Sequence, residues 1–179
     1  PGVRPSPGSM KSLKVADYEA IAKLDGVKAA SPMTNGGYVV IYQNKNWTTS
    51  VSGVNANYLD VNNWTMKSGR FLSEKNVQNR ERVAVVGKTV VKNLFGDEDP
   101  VGKEIRVKNI PFRIIGVLNS KGSGAMGNDQ DDMVIIPYTT AMERVDGIDY
   151  LRMIYVVGKD ENGIDRLQSD IENLLRVRH

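Results

Sequence analysis

Hydrophobic positions change period several times along the chain, and each change marks an element. Val15, Tyr18, Ile21, Ala22 and Leu24 recur at helical spacing, which predicts a helix ended by Gly26 in a left-handed C-terminal cap. Val27 to Met33 reads as a strand, Asn35-Gly36-Gly37 as a turn, and Tyr38 to Tyr42 as a second strand. After a turn over Gln43 to Asn46, the β-branched residues of Trp47 to Val54 alternate as a half-buried strand does. These elements predict an antiparallel meander.

The middle of the chain is more broken. Tyr58, Leu59, Val61 and Trp64 suit a short helical turn with buried aromatics, and Ser73 is placed to cap a short helix from Glu74. Val83 to Val86 is continuously apolar, as a strand covered on both faces would be. Thr89 to Phe95 has helical spacing and stops at Gly96, and Asp97 to Gly102 reads as a turn. Glu104 to Val107 and Phe112 to Leu118 predict a hairpin with Pro111 near its turn, because proline cannot donate to a ladder. Asn119 to Asp132 is a Gly-rich, then acidic, loop, and a loop that long is expected to be mobile or functional. Met133 to Ile136 returns to strand, Tyr138 to Val145 to helix, and Leu151 to Val157 to strand. The last helix spans Gly163 to Arg178, with acids at its start and Arg176 and Arg178 at its end, as the helix dipole favours.

The order of elements makes the chain α+β. Both ends, over 13–54 and 131–179, are expected to build one mixed layer, with 55–130 as a projecting insertion. Pro1, Pro5 and Pro7 with two glycines predict an extended or disordered segment over residues 1–12. Trp47, Trp64, Phe71, Phe95 and Phe112 are read as core rather than as a ligand pocket.

Composition removes several functions. The 179 residues hold no cysteine, so disulfides, thiol chemistry and cysteine zinc sites are excluded. The single histidine, His179, is the last residue of the sequence, so neither a Ser-His-Asp triad nor a His-rich metal site is expected. The net charge of +3 is modest and the basic residues are interleaved with acids, so no nucleic-acid track is expected. No apolar run reaches the roughly 18 residues that suggest a membrane span. No signal peptide is visible, and the chain reads as a soluble piece cut from a longer polypeptide.

Three motifs invite a catalytic reading. Gly87-Lys88-Thr89 opens a helix after a strand, but Arg82 stands where a phosphate-binding loop needs its first glycine, and Val83 to Val86 is strand. Gly122-Ser123-Gly124-Ala125-Met126-Gly127 spells a dinucleotide fingerprint, yet the acidic stretch after it builds no helix to hold a pyrophosphate. Asp129, Asp131 and Asp132 alternate like calcium ligands, but a calcium loop counted from Asp129 has Val134 and Thr140 where glycine and glutamate belong. A hydrolase using Asp129 or Asp131 lacks an identifiable second group. No cofactor and no metal is expected, and the domain itself is expected to be non-catalytic.

Six phrases in order carry a resemblance. They are Gly53-Val54 with Tyr58-Leu59 and Trp64, SGRFLSE (68–74), VAVVG (83–87), LFGDEDPVGKEIRV (94–107), PFRIIGVL (111–118), and MVIIPYTTA (133–141) after the Gly-rich loop and DQDD. Together they resemble the MacB-like periplasmic core domain, the extracytoplasmic part of FtsX-type ABC transporter permeases. The resemblance covers about residues 13–179. It implies a mixed α/β porter layer from both chain ends with a β-rich sabre insertion, and it leaves the usual first strand of that layer missing here. It also implies anchoring by flanking membrane helices, one before and three after this segment. A cytoplasmic ABC ATPase, a homodimer in the full transporter and a periplasmic adaptor are the implied partners. The implied role is mechanotransmission: coupling ATP hydrolysis to export or to an extracytoplasmic partner. The alternative is a stand-alone surface binding module. Contact is expected on the mobile loop, at Gly122, Gly124, Met126, Gly127, Asp129 and Asp131.

Overall fold

The computed structural model describes residues 4–5, 13–124 and 127–179. Of the extended segment expected over 1–12, residues 1–3 and 6–12 lie outside the described residues, as do Ala125 and Met126 of the loop. Arg4–Pro5 form a two-residue strand, β1.

Helix α1 (Val15–Ala22) follows, but its end is not the expected left-handed cap. Gly26 does not take a positive φ. It is instead a place of close packing, because a Cβ there would lie 3.2 Å from Leu167 Cδ1. The expected turn at Asn35-Gly36-Gly37 is also absent. Strand β2 runs without interruption over Val27–Tyr42, sixteen residues, and Gly36 and Gly37 pair with Val51 and Ser50 of β3 (Lys45–Val54). A Cβ on Gly36 would lie 2.7 Å from the Tyr38 ring, so glycine there makes room for an aromatic side chain rather than for a bend. The true reversal is the two-residue Gln43-Asn44 turn, with Gln43 at φ +54.

The two halves of β2 serve two different assemblies. Val27 to Met33 pairs antiparallel with β9 (Met153–Gly158), whose other side takes β1 through Arg4↔Val156 and Pro5↔Tyr155. The edge strand expected to be missing is thus present in short form. Helices α1 and α6 (Ile164–Arg178) pack on this small sheet, burying Ile21, Val27, Ile154, Leu167 and Ile171 in one cluster.

The other half of β2 belongs to a closed ring. It pairs with β3; β3 runs parallel to β8 (Met133–Pro137); β8 pairs with β5 (Val83–Val86). β5 runs parallel to β7 (Ile110–Leu118), β7 pairs with β6 (Glu104–Val107), and β6 returns to β2 through Val40↔Val107 and Ile41↔Arg106. Six strands therefore close into a small barrel, which removes open sheet edges. Its apolar cluster includes Val40, Val51, Val86, Ile105, Phe112 and Ile136, with α4 (Lys88–Leu94) adding Val90 and Leu94. This cluster draws on residues on both sides of the positions at 54 and 131 where the chain was expected to divide.

Outside the ring, α2 (Tyr58–Val61), a strand not expected from the sequence, β4 (Met66–Gly69), and α3 (Glu74–Gln78) cover a third cluster around Tyr58, Trp64, Leu72 and Ile115. Ser73 caps α3 as anticipated: its hydroxyl accepts from Asn76 N at 3.1 Å and Asn76 reaches back to Ser73 N. After α5 (Tyr138–Thr140) the expected ordinary helix widens into a π-helical segment over Ala141–Asp146, ended by Gly147 at φ +61. The aromatic expectations hold for Trp64, Phe95 and Phe112, which are buried, while Trp47 and Phe71 are half-buried.

Candidate functional site

The loop between β7 and β8 is organised by its own carboxylates. Asp131 is 4% exposed and accepts from Ser120 Oγ at 2.6 Å, Lys121 N at 2.7 Å and Gly122 N at 3.1 Å. Burial pushes its carboxyl up, but these three donors, with Lys88 nearby, more than offset that and hold it below the ordinary carboxylate range. Asp129 accepts from Thr89 Oγ1 at 2.5 Å and from the N–H of Asp131 at 2.9 Å. Asp132 faces the other way, accepting from Trp47 Nε1 at 2.8 Å and Thr49 Oγ1 at 2.6 Å on β3. The three acids therefore point at three separate sets of donors. Among the described residues, no group of three or more His, Cys, Asp or Glu side chains is arranged to hold a metal ion.

An open depression of about 340 Å³ lies beside this loop, where Met33 of β2 and Tyr155 of β9 meet Tyr58, Trp64, Lys121 and Asp132. Lys121 holds the loop to it twice. Its Nζ sits 4.3 Å from the centre of the Trp64 ring and donates to the carbonyl of Asn62. Partial burial lowers the Lys121 pKa. Tyr58 and Tyr155 meet edge to face at 6.2 Å, and burial pushes Tyr58 up to about 12. Both phenols stay neutral at physiological pH, so this wall of the depression presents aromatic surface rather than a nucleophile.

The expected contact residues separate in this geometry. Gly127 and Asp129 are exposed, Gly122 and Gly124 half-buried, and Met126 lies outside the described residues. Asp131 turns inward, so it shapes the loop instead of presenting itself. Gly122 and Gly127 take φ of +75 and +79, and the loop closes through a Ser123↔Asp129 bridge before running into β8. Among the described residues no helix follows the Gly-x-Gly run before β8. Gly87 caps α4 directly after β5, with Asp131 O lying 2.1 Å from where its Cβ would be. That leaves no open cradle for a phosphate.

Two polar clusters had no sequence signal. The first joins α1 to the end of α6: Asp17 accepts from Lys14 N at 2.8 Å, Arg178 Nε at 2.7 Å and, at 3.0 Å, His179 Nε2. The second is at the middle of β2, where the Tyr38 hydroxyl donates to Asp146 and Lys108 Nζ donates to Val145 O at 3.0 Å. An acid in the first turn of a helix reads as ordinary capping, and partners 161 residues away are invisible to local periodicity.

Residues 2–174 match the MacB-like periplasmic core domain. A macrolide export ATP-binding/permease protein MacB from Rhodospirillum rubrum is 43% identical over 181 aligned positions, covering 100% of this chain and 28% of that protein. The protein of the same description from Marinobacter nauticus is 36% identical, covering 96% of this chain and 27% of its own length. The chain thus spans about a quarter of the relatives it matches. The crystal structure of the periplasmic region of MacB from Actinobacillus actinomycetemcomitans superposes with a TM-score of 0.87 at 25% identity, covering 99% of this chain and 82% of that one. The extracellular domain of the noncanonic ABC-type transporter YknZ from Gram-positive bacteria shares the fold, with a TM-score of 0.77 at 19% identity over 92% of this chain and 86% of that one. Among the described residues no helix is long and apolar enough to cross a membrane. The family match over nearly the whole chain and relatives well above 30% identity agree with the barrel and the helix-covered sheet, and this chain belongs to the MacB-like periplasmic core domain family of extracytoplasmic permease domains.

Proposed function

We propose that this chain is the non-catalytic ectodomain of an ABC transporter permease, held at the outer face of the cell membrane by helices on either side of it. It works in a homodimer, carries the motion of helices driven by a cytoplasmic ATPase, and delivers that motion to export or to a periplasmic adaptor. The observation that supports this reading best is β2. One strand of sixteen residues is shared by the helix-covered sheet and by the barrel, so displacement of one reaches the other without a flexible linker. In this reading the helix-covered sheet is the porter-like part and the barrel the sabre-like part, with the barrel drawing β3, β8 and half of β2 from outside the 55–130 span expected for the insertion. The loop, through exposed Gly127 and Asp129 with half-buried Gly122 and Gly124 beside them, is the contact surface on the barrel side. Macrolides, named in the description of the relatives, are the first cargo to test.

The test uses the full-length protein in its native membrane. Asn44→Cys, in the exposed β2–β3 turn, is treated with a membrane-impermeant maleimide in spheroplasts and in lysed membranes. Labelling in spheroplasts equal to that in lysed membranes is expected. Labelling only after lysis refutes an extracytoplasmic ectodomain.

A further inference from the structure

The end of α6 and the start of α1 meet at one buried carboxylate, Asp17. Asp17 lies in the first turn of α1 and is 1% exposed. Its two oxygens are shared among three donors from two places. One oxygen caps α1 through Lys14 N and meets His179 Nε2; the other takes Arg178 Nε at 2.7 Å. Arg178 is the last residue of α6. The two residues that lead into α1 are tied onward as well, because Leu151 N donates to Leu13 O at 2.7 Å and the N-cap Lys14 pairs with Asp149 at 3.2 Å. Leu151 leads directly into β9, and β9 pairs with β2. A connected path therefore runs from the last turn of α6 through one carboxylate to α1, then to β9 and β2.

Apolar packing between α1 and α6 alone would let the last turn of α6 slide, since dispersion contacts are non-directional and Val177 in that turn is 87% exposed. An ion pair whose acid is buried and hydrogen-bonded on both oxygens resists sliding, because any displacement leaves a charge desolvated without its partner. We propose that Asp17 is the positioning residue that locks the last turn of α6 to α1, so that movement of the chain following α6 turns the whole sheet as one body. This rests on the permease reading above.

The test is made in the full-length transporter reconstituted with its ATPase. Spin labels are placed at Asn44 on each protomer, and the distance between them is compared without nucleotide and after ATP turnover in the presence of vanadate, which leaves ADP and vanadate trapped. Wild-type protein is expected to show a shift. Asp17→Asn, which keeps an acceptor for Lys14 N, and Arg178→Gln are each expected to lose at least two-thirds of it while ATPase turnover stays within about twofold. Arg178→Lys, which keeps a cation at the carboxylate, restores the shift. Ile154→Val, a core truncation in the same sheet, leaves it intact, which separates a lock from mere stability. Full shifts in both Asp17→Asn and Arg178→Gln overturn the proposal, and so does a parallel loss of ATPase turnover. No shift in the wild type instead overturns the permease reading itself.

Discussion

Truncating Asp131 to alanine removes the acceptor for Ser120 Oγ, Lys121 N and Gly122 N at once. Hydrogen bonds to a charged group are worth about 1.5–3 kcal/mol each, which sets an upper bound of about 9 kcal/mol for the three. Ser120 and Lys121 are exposed and regain water when the carboxylate leaves, so about 3 kcal/mol is the expected loss. In a chain of this size that lowers the melting temperature by about 6–12 °C. Asp131→Asn keeps one acceptor and is expected to lose about half as much. The Asp131 carboxyl is held below its ordinary value of 3.8 in the folded state, so its contribution is fully present above that pH. It is lost as pH falls through the folded value, and the gap between wild type and Asp131→Ala should close there. Calorimetric melting of the isolated domain at neutral and strongly acidic pH, with amide exchange at Lys121 and Gly122, measures both effects. An alanine variant melting within 2 °C of wild type at pH 7, by the same scale, refutes an internal role and returns Asp131 to the surface as a partner contact.

Other substitutions probe the barrel. Gly53→Ala would set a Cβ 2.8 Å from Tyr138 Cα and 2.7 Å from Ala141 Cβ, and a loss of about 2–3 kcal/mol in urea titration is expected. Gly37→Ala meets nothing within 4 Å in an extended strand, so it should be neutral or stabilising by up to about 1 kcal/mol; a large loss would restore the turn expected there. Phe112→Ala empties a fully buried position inside the ring and should cost about 3–5 kcal/mol by the same titration. Asp146 behaves oppositely to Asp131: burial holds its carboxyl above the ordinary range despite the Tyr38 and Thr34 bonds and the charge of Lys108. Its charged form is therefore a cost above the folded pKa that is relieved as pH falls through that value. Lys108→Met should destabilise more at pH 7 than at pH 4, and an equal loss at both would show that the cation does not act on Asp146.

The elements that local pattern announces are those whose causes are local. The amphipathic stripe of α6, the four apolar residues of β5 and the Ser73 cap needed only near neighbours in the chain, and each stands where its residues place it. Asn35-Gly36-Gly37 misled because glycine permits a turn without requiring one, and the requirement here came from the Tyr38 ring. Ring closure through Val40↔Val107 joins segments 67 positions apart and leaves no mark on either. The acidic loop was legible as a loop but not as an internally bonded one. That depends on backbone donors from Lys121 and Gly122 converging on a carboxylate whose charge alone suggests exposure. Asp132 is bonded to Trp47, 85 residues earlier, for the same reason.

Strand β2, at about 3.3 Å per residue, is a ribbon roughly 50 Å long, and it has no interior joint. A chimaera that exchanges the barrel between two such proteins therefore cannot be spliced anywhere from residue 27 to residue 42 without cutting hydrogen-bond ladders on both sides of the cut. Recombination, whether in the laboratory or in a genome, must carry that ribbon whole. Barrel variants should accordingly be inherited together with the sheet that bears them, rather than traded as independent cassettes.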